Sequence, residues 1–222
     1  FFKILIDKQS FSMKNEVTPI SVAFYIVPMV NAMIRVGTME EKKRLFEAYL
    51  DANKMVPSNK RGAKGTLELL GVESARECTN AKNRQNKIKE TAVDNLEIKI
   101  HKYDLLENKI LFVRLDEDDS FPRELNGLVA MQLSAKFKKP TIVARINDEN
   151  YVKGSARGLN ESALESFKDF LDSTNLFEYT AGHDNAFGIS IYNENLDKLH
   201  SLANEHLKDI DFGENVYNVN NS

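Results

Sequence analysis

Short apolar runs and helical spacings alternate along the second half of the chain. Lys109 to Leu115 reads as a strand, and Leu125 to Phe137 as a helix with Leu128, Val129, Leu133 and Phe137 on one side. Thr141 to Ile146, behind Pro140, has the pattern of a buried strand. Tyr151 to Arg157 follows as another strand, then a helix from Glu161 to Leu171. Two paired strands, Phe177 to Ala181 and Phe187 to Ile191, flank Gly182, and a closing helix runs from Glu194 to Leu207. Strands alternating with helices predict an α/β domain, a mixed sheet covered by helices.

The first half has a different rhythm. Phe1 to Ile6 is an apolar run that reads as a strand or the tail of a helix, with nothing before it to pack against, and Lys8 to Glu16 is polar and loop-like. Ile20 to Gly37 mixes β-branched and aromatic residues with Pro28, Asn31 and Arg35, which predicts a broken, buried segment. Thr38 to Leu50 is a helix by its signals: Thr38 as N-cap, Glu40 and Glu41 in the first turn, and Leu45, Phe46, Tyr49 and Leu50 at helical spacing. Ser58 to Gly65 is a mobile basic loop, open to a phosphate backbone or simply solvated. From Val72 to Leu106 there is neither Pro nor Gly, and Ile88, Ala92, Leu96, Ile100 and Tyr103 form one narrow apolar stripe. That predicts a charged helical rod on the order of 45 Å long, a connector between two domains.

Bulk composition adds bounds. With 42% hydrophobic and 28% charged residues in 222, the chain can hold one good-sized domain or one domain with an attached piece. A net charge of −3 supplies no global positive field for nucleic acid, although a local groove can still be basic. The lone Cys78 excludes an intramolecular disulfide and fits a reducing cytoplasm. Ile20 to Ile34 is interrupted by Ser21, Pro28 and Asn31, so no membrane span is expected. The chain opens with Phe-Phe-Lys rather than Met, which suggests that it begins part-way through a longer protein.

Two polar islands carry the candidate chemistry. On a strand, Ser155 and Arg157 share a face, and Gly154 before them leaves the backbone open to a ligand; a hydroxyl beside a guanidinium suits a phosphate or carboxylate. In Ala181 to Gly188, Gly182 and Gly188 bracket His183 at a strand tip. Each island also has a plain reading, a solvated strand face and a turn with a hydrogen-bonded imidazole. Asp116 to Asp119 invites a metal, but consecutive carboxylates point in different directions and read as a solvated turn. His101, His200 and His206 give His183 and Asp184 no partners at ligand spacing, and Cys78 has no second thiol. No metal site is expected in this span.

Together the islands resemble the C-terminal domain of the DHH phosphoesterase family, most closely its RecJ-type single-strand-specific exonucleases, where Gly-Ser-x-Arg precedes Gly-Gly-His-x-x-Ala-x-Gly. Ala181 stands at the first glycine of the second motif. Further matches follow in order: Pro28, Asn31, Ala32 and Arg35 in a Gly-Pro-Arg-x-Asn-Ala segment whose Arg is Met29 here, Asn80 to Gln85 on the linker helix, Gly127 to Ala130, and Lys139 to Val143. The resemblance implies residues 1–71 as the remnant of an N-terminal DHH domain, 72–108 as a long connecting helix, 109–210 as the DHH-associated C-terminal domain, and 211–222 as a loose tail. It implies a cytoplasmic, monomeric, metal-dependent exonuclease acting on single-stranded DNA, 5′ to 3′. Gly154, Ser155, Arg157, Gly182, His183, Asn31 and Arg35 would bind substrate. The family's Mn²⁺ or Mg²⁺ is held by an Asp-His-His-bearing N-terminal domain, a triplet this sequence lacks, so the span alone would be inactive. A DHH phosphodiesterase of short oligonucleotides or cyclic dinucleotides, and a non-catalytic module binding nucleic acid or protein, are the alternatives.

Overall fold

A computed structural model describes residues 1–63, 65–147 and 150–212. The expected loose tail lies outside the described residues from 213 onward, as does Lys64 of the basic loop. The chain divides into two units, Phe1–Ile88 and Lys89–Ser222, the first with one hydrophobic cluster and the second with one on each face of its sheet.

The first unit opens with helix α1 (Phe2–Gln9), so the alternative left open for this apolar run resolves as helix; Leu5 is fully buried against later elements. After the turn that buries Met13 come α2 (Pro19–Ser21), a π-helical turn (Val22–Ile26) and α3 (Val27–Val36). The break anticipated at Pro28 is this π turn, since a residue without an N–H cannot serve the carbonyl one turn back. Burial was overestimated: Ile26, Met29, Ala32 and Met33 face the core, but Ile20 and Phe24 are 71% and 73% exposed. Contrary to expectation, Pro19–Val36 is long and apolar enough to cross a membrane by length and composition alone, with mean hydropathy 1.5. Its inward residues belong to the core of this unit.

Helix α4 (Met39–Leu50) begins with the expected cap. Glu41 N–H donates to Thr38 Oγ1 at 3.2 Å, and Thr38 N–H to Glu41 Oε2 at 2.8 Å. Its buried stripe is Leu45 and Ala48, while Phe46 and Leu50 point to solvent. A two-stranded hairpin, β1 (Met55–Pro57) and β2 (Leu67–Leu69), encloses the basic loop; three-residue strands are too short to show an alternating pattern. Helix α5 (Leu70–Lys102) follows, and its first part packs Ala75, Cys78 and Ala81 into the first core.

In the second unit a five-stranded mixed sheet has the order β3-β4-β5-β7-β6, with β3 (Leu111–Leu115), β4 (Thr141–Ile146), β5 (Tyr151–Arg157), β6 (Phe177–His183) and β7 (Ala186–Tyr192). Strands β3 and β4 are parallel and joined through α6 (Asn126–Phe137); the other pairings are antiparallel. One face buries Ile142, Ala156, Phe187 and Ile189 under α7 (Phe167–Ser173) and α8 (Leu196–His206). On the other, Leu111, Val113 and Val143 meet Val129, Ala130 and Leu133 of α6, with Ala92, Leu96 and Ile100 of α5. Each buried Leu, Ile, Val or Phe among them contributes roughly 1.5–3 kcal/mol by leaving water, and each Ala less. Tyr103, expected in that stripe, is exposed, because α5 ends one residue earlier. The helix anticipated from Glu161 starts only at Phe167, where Ser166 Oγ accepts from Asp169 N–H at 3.0 Å and fixes the N-terminus.

Candidate functional site

Strand register brings the two islands together. Arg157 pairs with Ala186, which pairs with His183; two residues back, Ser155 pairs with Gly188, which pairs with Ala181. Paired and alternate residues share a face, so all six lie on the α6 side of the sheet. The small residues between the polar ones leave a trough. A Cβ built on Gly188 would meet only Gly154 O at 3.7 Å and Ala181 O at 3.8 Å, ordinary contacts.

Arg157 is held in place rather than waving in solvent. Its Nη1 donates to Ala156 O at 2.6 Å, and its guanidinium lies over Gly127 near the start of α6, where any side chain would collide with Nη2. Arg157 and His183 line one cavity of about 480 Å³, together with Met131, Ser134 and Leu159. Ser155 shares the face but not the cavity wall.

Ser134 is the residue sequence reasoning missed. It is 3% exposed, and its Oγ has no hydrogen-bond partner among the described residues. Leaving a buried hydroxyl unpaired costs about 1–3 kcal/mol. Nothing in the helical spacing of α6 distinguishes this serine from a packing residue.

Backbone and amide contacts fix the His183 tip. The two-residue connection Asp184-Asn185 reaches across to the segment before α7: Asn185 Oδ1 accepts from Phe167 N–H at 3.2 Å, and its Nδ2 donates to Glu165 O at 3.1 Å. Gly158 N–H donates to Asn185 O at 3.0 Å, and Lys168 N–H to Asp184 O at 2.9 Å. Gly182 has φ +143°, and a Cβ there would lie 2.7 Å from both Ala186 O and Phe187 Cα, so glycine is required. Gly154 departs from expectation. The space its side chain would fill is taken by Val143 O and by Ala144, so this glycine serves close approach of β4 and does not open the backbone to a ligand.

Asn31 and Arg35 lie in the first unit, Asn31 exposed on α3 and Arg35 half-buried in its last turn. Met29, at the Arg position of the resembled motif, is buried and accepts from Gln9 Nε2 at 3.3 Å. The acidic run is an ion-paired turn: Lys99 Nζ bonds Asp116 at 2.6 Å and Asp119 at 2.9 Å. The other histidines pack edge-on to rings, His101 on Phe137, His200 on Phe112 and His206 on Phe170. Burial pushes the His200 pKa down. Burial pushes the Cys78 thiol up to about 12, which leaves it unreactive. Among the described residues no group of three His, Cys, Asp or Glu side chains is arranged to hold a metal ion, so the residues described here do not fit a metal centre.

No family model matches the chain. It is 36% identical over 222 residues to a protein of Bacillus subtilis (strain 168) named as an SPbeta prophage-derived single-strand DNA-specific exonuclease, YorK, and equally to the yorK exonuclease of Bacillus phage SPbeta. Each alignment takes in 98% of this chain and 38% of the relative, so the chain spans about two fifths of their length. Among solved structures it is similar to RecJ of Thermus thermophilus in complex with Mg²⁺, with TM-score 0.59 and 16% identity over 97% of this chain and 30% of that one. An exonuclease RecJ bound to manganese gives TM-score 0.55 and 17% identity, over 93% of this chain and 46% of that one. At such identities the structures establish shared fold.

Proposed function

We propose that this chain, RecJ-type by its relatives and its fold, grips a phosphate of single-stranded DNA for a metal-dependent exonuclease. The observation that carries the reading is the single cavity lined by Arg157 and His183. The Arg157 fork supplies parallel N–H donors to two phosphate oxygens, Ser155 adds a hydroxyl from the same strand face, and His183 faces them from the hairpin tip. Donors fixed before the ligand arrives need no reorganisation when charge builds on the phosphate. Arg35, with Asn31 one turn before it, is a separate phosphate contact within the first unit. By resemblance the phosphate is the 5′-terminal one, which sets a 5′ to 3′ direction, and the divalent ions are held by residues outside this span.

Fluorescence anisotropy with 5′-phosphorylated and 5′-hydroxyl oligothymidylate tests the reading. The phosphorylated strand should bind tighter, and Arg157→Ala should remove that preference, a loss of roughly 10- to 100-fold for a charge-assisted contact. Equal binding of the two strands by the unaltered chain would overturn the assignment. In the presence of Mn²⁺ the DNA should be recovered intact.

A further inference from the structure

We infer that the sheet face carrying Arg157 continues as a track for single-stranded DNA, with Tyr192 at its far end as a stacking seat for a base. The inference rests on the reading of Arg157 as the phosphate ligand and extends it to residues outside that cavity. Alternation along β5 places Tyr151, Lys153, Ser155 and Arg157 on one face. Register sets Tyr192 opposite Tyr151, and Ser190 opposite Lys153 with Tyr179 beyond it. From Arg157 back to Tyr151 the strand spans roughly 20 Å, room for several extended nucleotides.

Helix α6 covers only part of this face. The apolar cluster beneath it takes Leu111, Val113, Leu115 and Val143 from β3 and β4 and, among the described residues, none from β5, β6 or β7. On the uncovered part Lys153, Ala181, His183 and Ala186 are exposed, and Tyr179 and Tyr192 are 44% and 42% exposed. Small residues near Arg157 leave space for a strand, and the tyrosines offer ring faces on which any base can stack. The Tyr151 and Tyr192 rings are 4.1 Å apart and tilted by 32°, with their hydroxyls in contact, and Lys153 Nζ stands 5.4 Å from the Tyr151 ring centre. Rings already stacked lose little freedom when a base joins them. Glu178 also reaches this face, its Oε2 accepting from Ser190 Oγ at 2.8 Å, but Lys153 and its β4 neighbour Arg145 set two cations beside it. The DNA backbone therefore follows the β5 side, with Lys153 as the phosphate contact midway.

Anisotropy titrations with 5′-phosphorylated oligothymidylates of about two to eight nucleotides test the track. In the unaltered chain affinity should rise with length until the strand reaches Tyr192, then level. Tyr192→Ala should weaken the longest strand roughly fivefold or more and leave the dinucleotide unchanged; Tyr192→Phe, which keeps the ring, should match the unaltered chain at every length. Lys153→Ala should flatten the double-logarithmic salt slope of the longer strands by about 0.7. If Arg157→Ala abolishes the 5′-phosphate preference while Tyr192→Ala binds every length as before, the inference fails and the site reading stands. A Tyr192→Ala chain that also loses the dinucleotide, or a Tyr192→Phe chain as weak as the alanine variant, would make the residue structural or hydrogen-bonding and overturn it. Absence of any 5′-phosphate preference in the unaltered chain would remove both.

Discussion

Gly182 is the residue on which the position of His183 turns. Its φ of +143° is a region that side chains rarely enter, and an added methyl would press on Ala186 O and Phe187 Cα. Gly182→Ala should cost about 1–3 kcal/mol, seen as a lower melting temperature, and should weaken phosphate-dependent binding because His183 moves with its strand. A variant with unchanged melting and binding would refute this account of the hairpin. That Ser155 and Arg157 share a face was legible because strand alternation is a local property; that His183 joins them there was not, because it depends on β7 pairing with β5. Gly154 was misread because what fills the space beside a glycine depends on a strand from elsewhere in the sequence. Ser134 was invisible for the same reason: an unpaired hydroxyl is defined by its surroundings, which periodicity does not specify.

Between elements, the contact that matters most to the site is that of α6 with the end of β5. Gly127 stands where the Arg157 guanidinium lies, and the obstructed atom is the far end of a flexible side chain. Gly127→Ala should therefore leave stability within about 1 kcal/mol, since helix propensity gains what the adjustment loses. Arg157 would be displaced, and the preference for a 5′-phosphorylated strand should drop in the anisotropy assay. Unchanged preference would show that Arg157 binds in a different rotamer from the one seen. The sheet and most helices of the second unit were legible from their patterns, and the Thr38 capping box marked its helix start. The helix anticipated from Glu161 failed because local hydroxyls compete with it: Ser162 Oγ bonds Leu159 O and Leu164 O, each at 3.2 Å, and Ser166 takes the cap. The basic loop hid a hairpin whose strands are too short to announce themselves.

At the scale of the whole molecule, the two units differ in their acid responses. In the first unit Arg76 grips Glu68 through Nη1 at 2.8 Å and Nη2 at 2.6 Å, and Ser58 Oγ adds a bond at 2.6 Å, holding that carboxyl down at about 2. Glu73 and Glu77 are pushed the other way by burial, although Arg44 faces the first and Asn59 the second; each keeps an Oε2 without a partner among the described residues. The signs follow from linkage. A carboxyl raised in the fold favours the native state below its ordinary pKa of 4.5 and loses that advantage as pH rises, so first-unit stability should climb as pH falls from neutral toward about 4.5. Glu68 contributes above its ordinary 4.5, and its share disappears as pH falls on toward about 2. In the second unit Asp172 is lowered: burial raises it, but the bonds from Lys168 and Thr180 outweigh burial, so only the falling limb is expected there. Segment-resolved hydrogen exchange, corrected for its intrinsic pH dependence, should thus give a maximum near pH 4.5 for Phe1–Ile88 and none for the second unit. Glu77→Gln should flatten the upper limb, and Glu68→Gln should remove the lower one while destabilising the first unit at neutral pH. A first unit that only weakens from neutral pH downward would mean that Glu73 and Glu77 are charged and satisfied in the fold, and that Arg44 and Asn59 outweigh their burial.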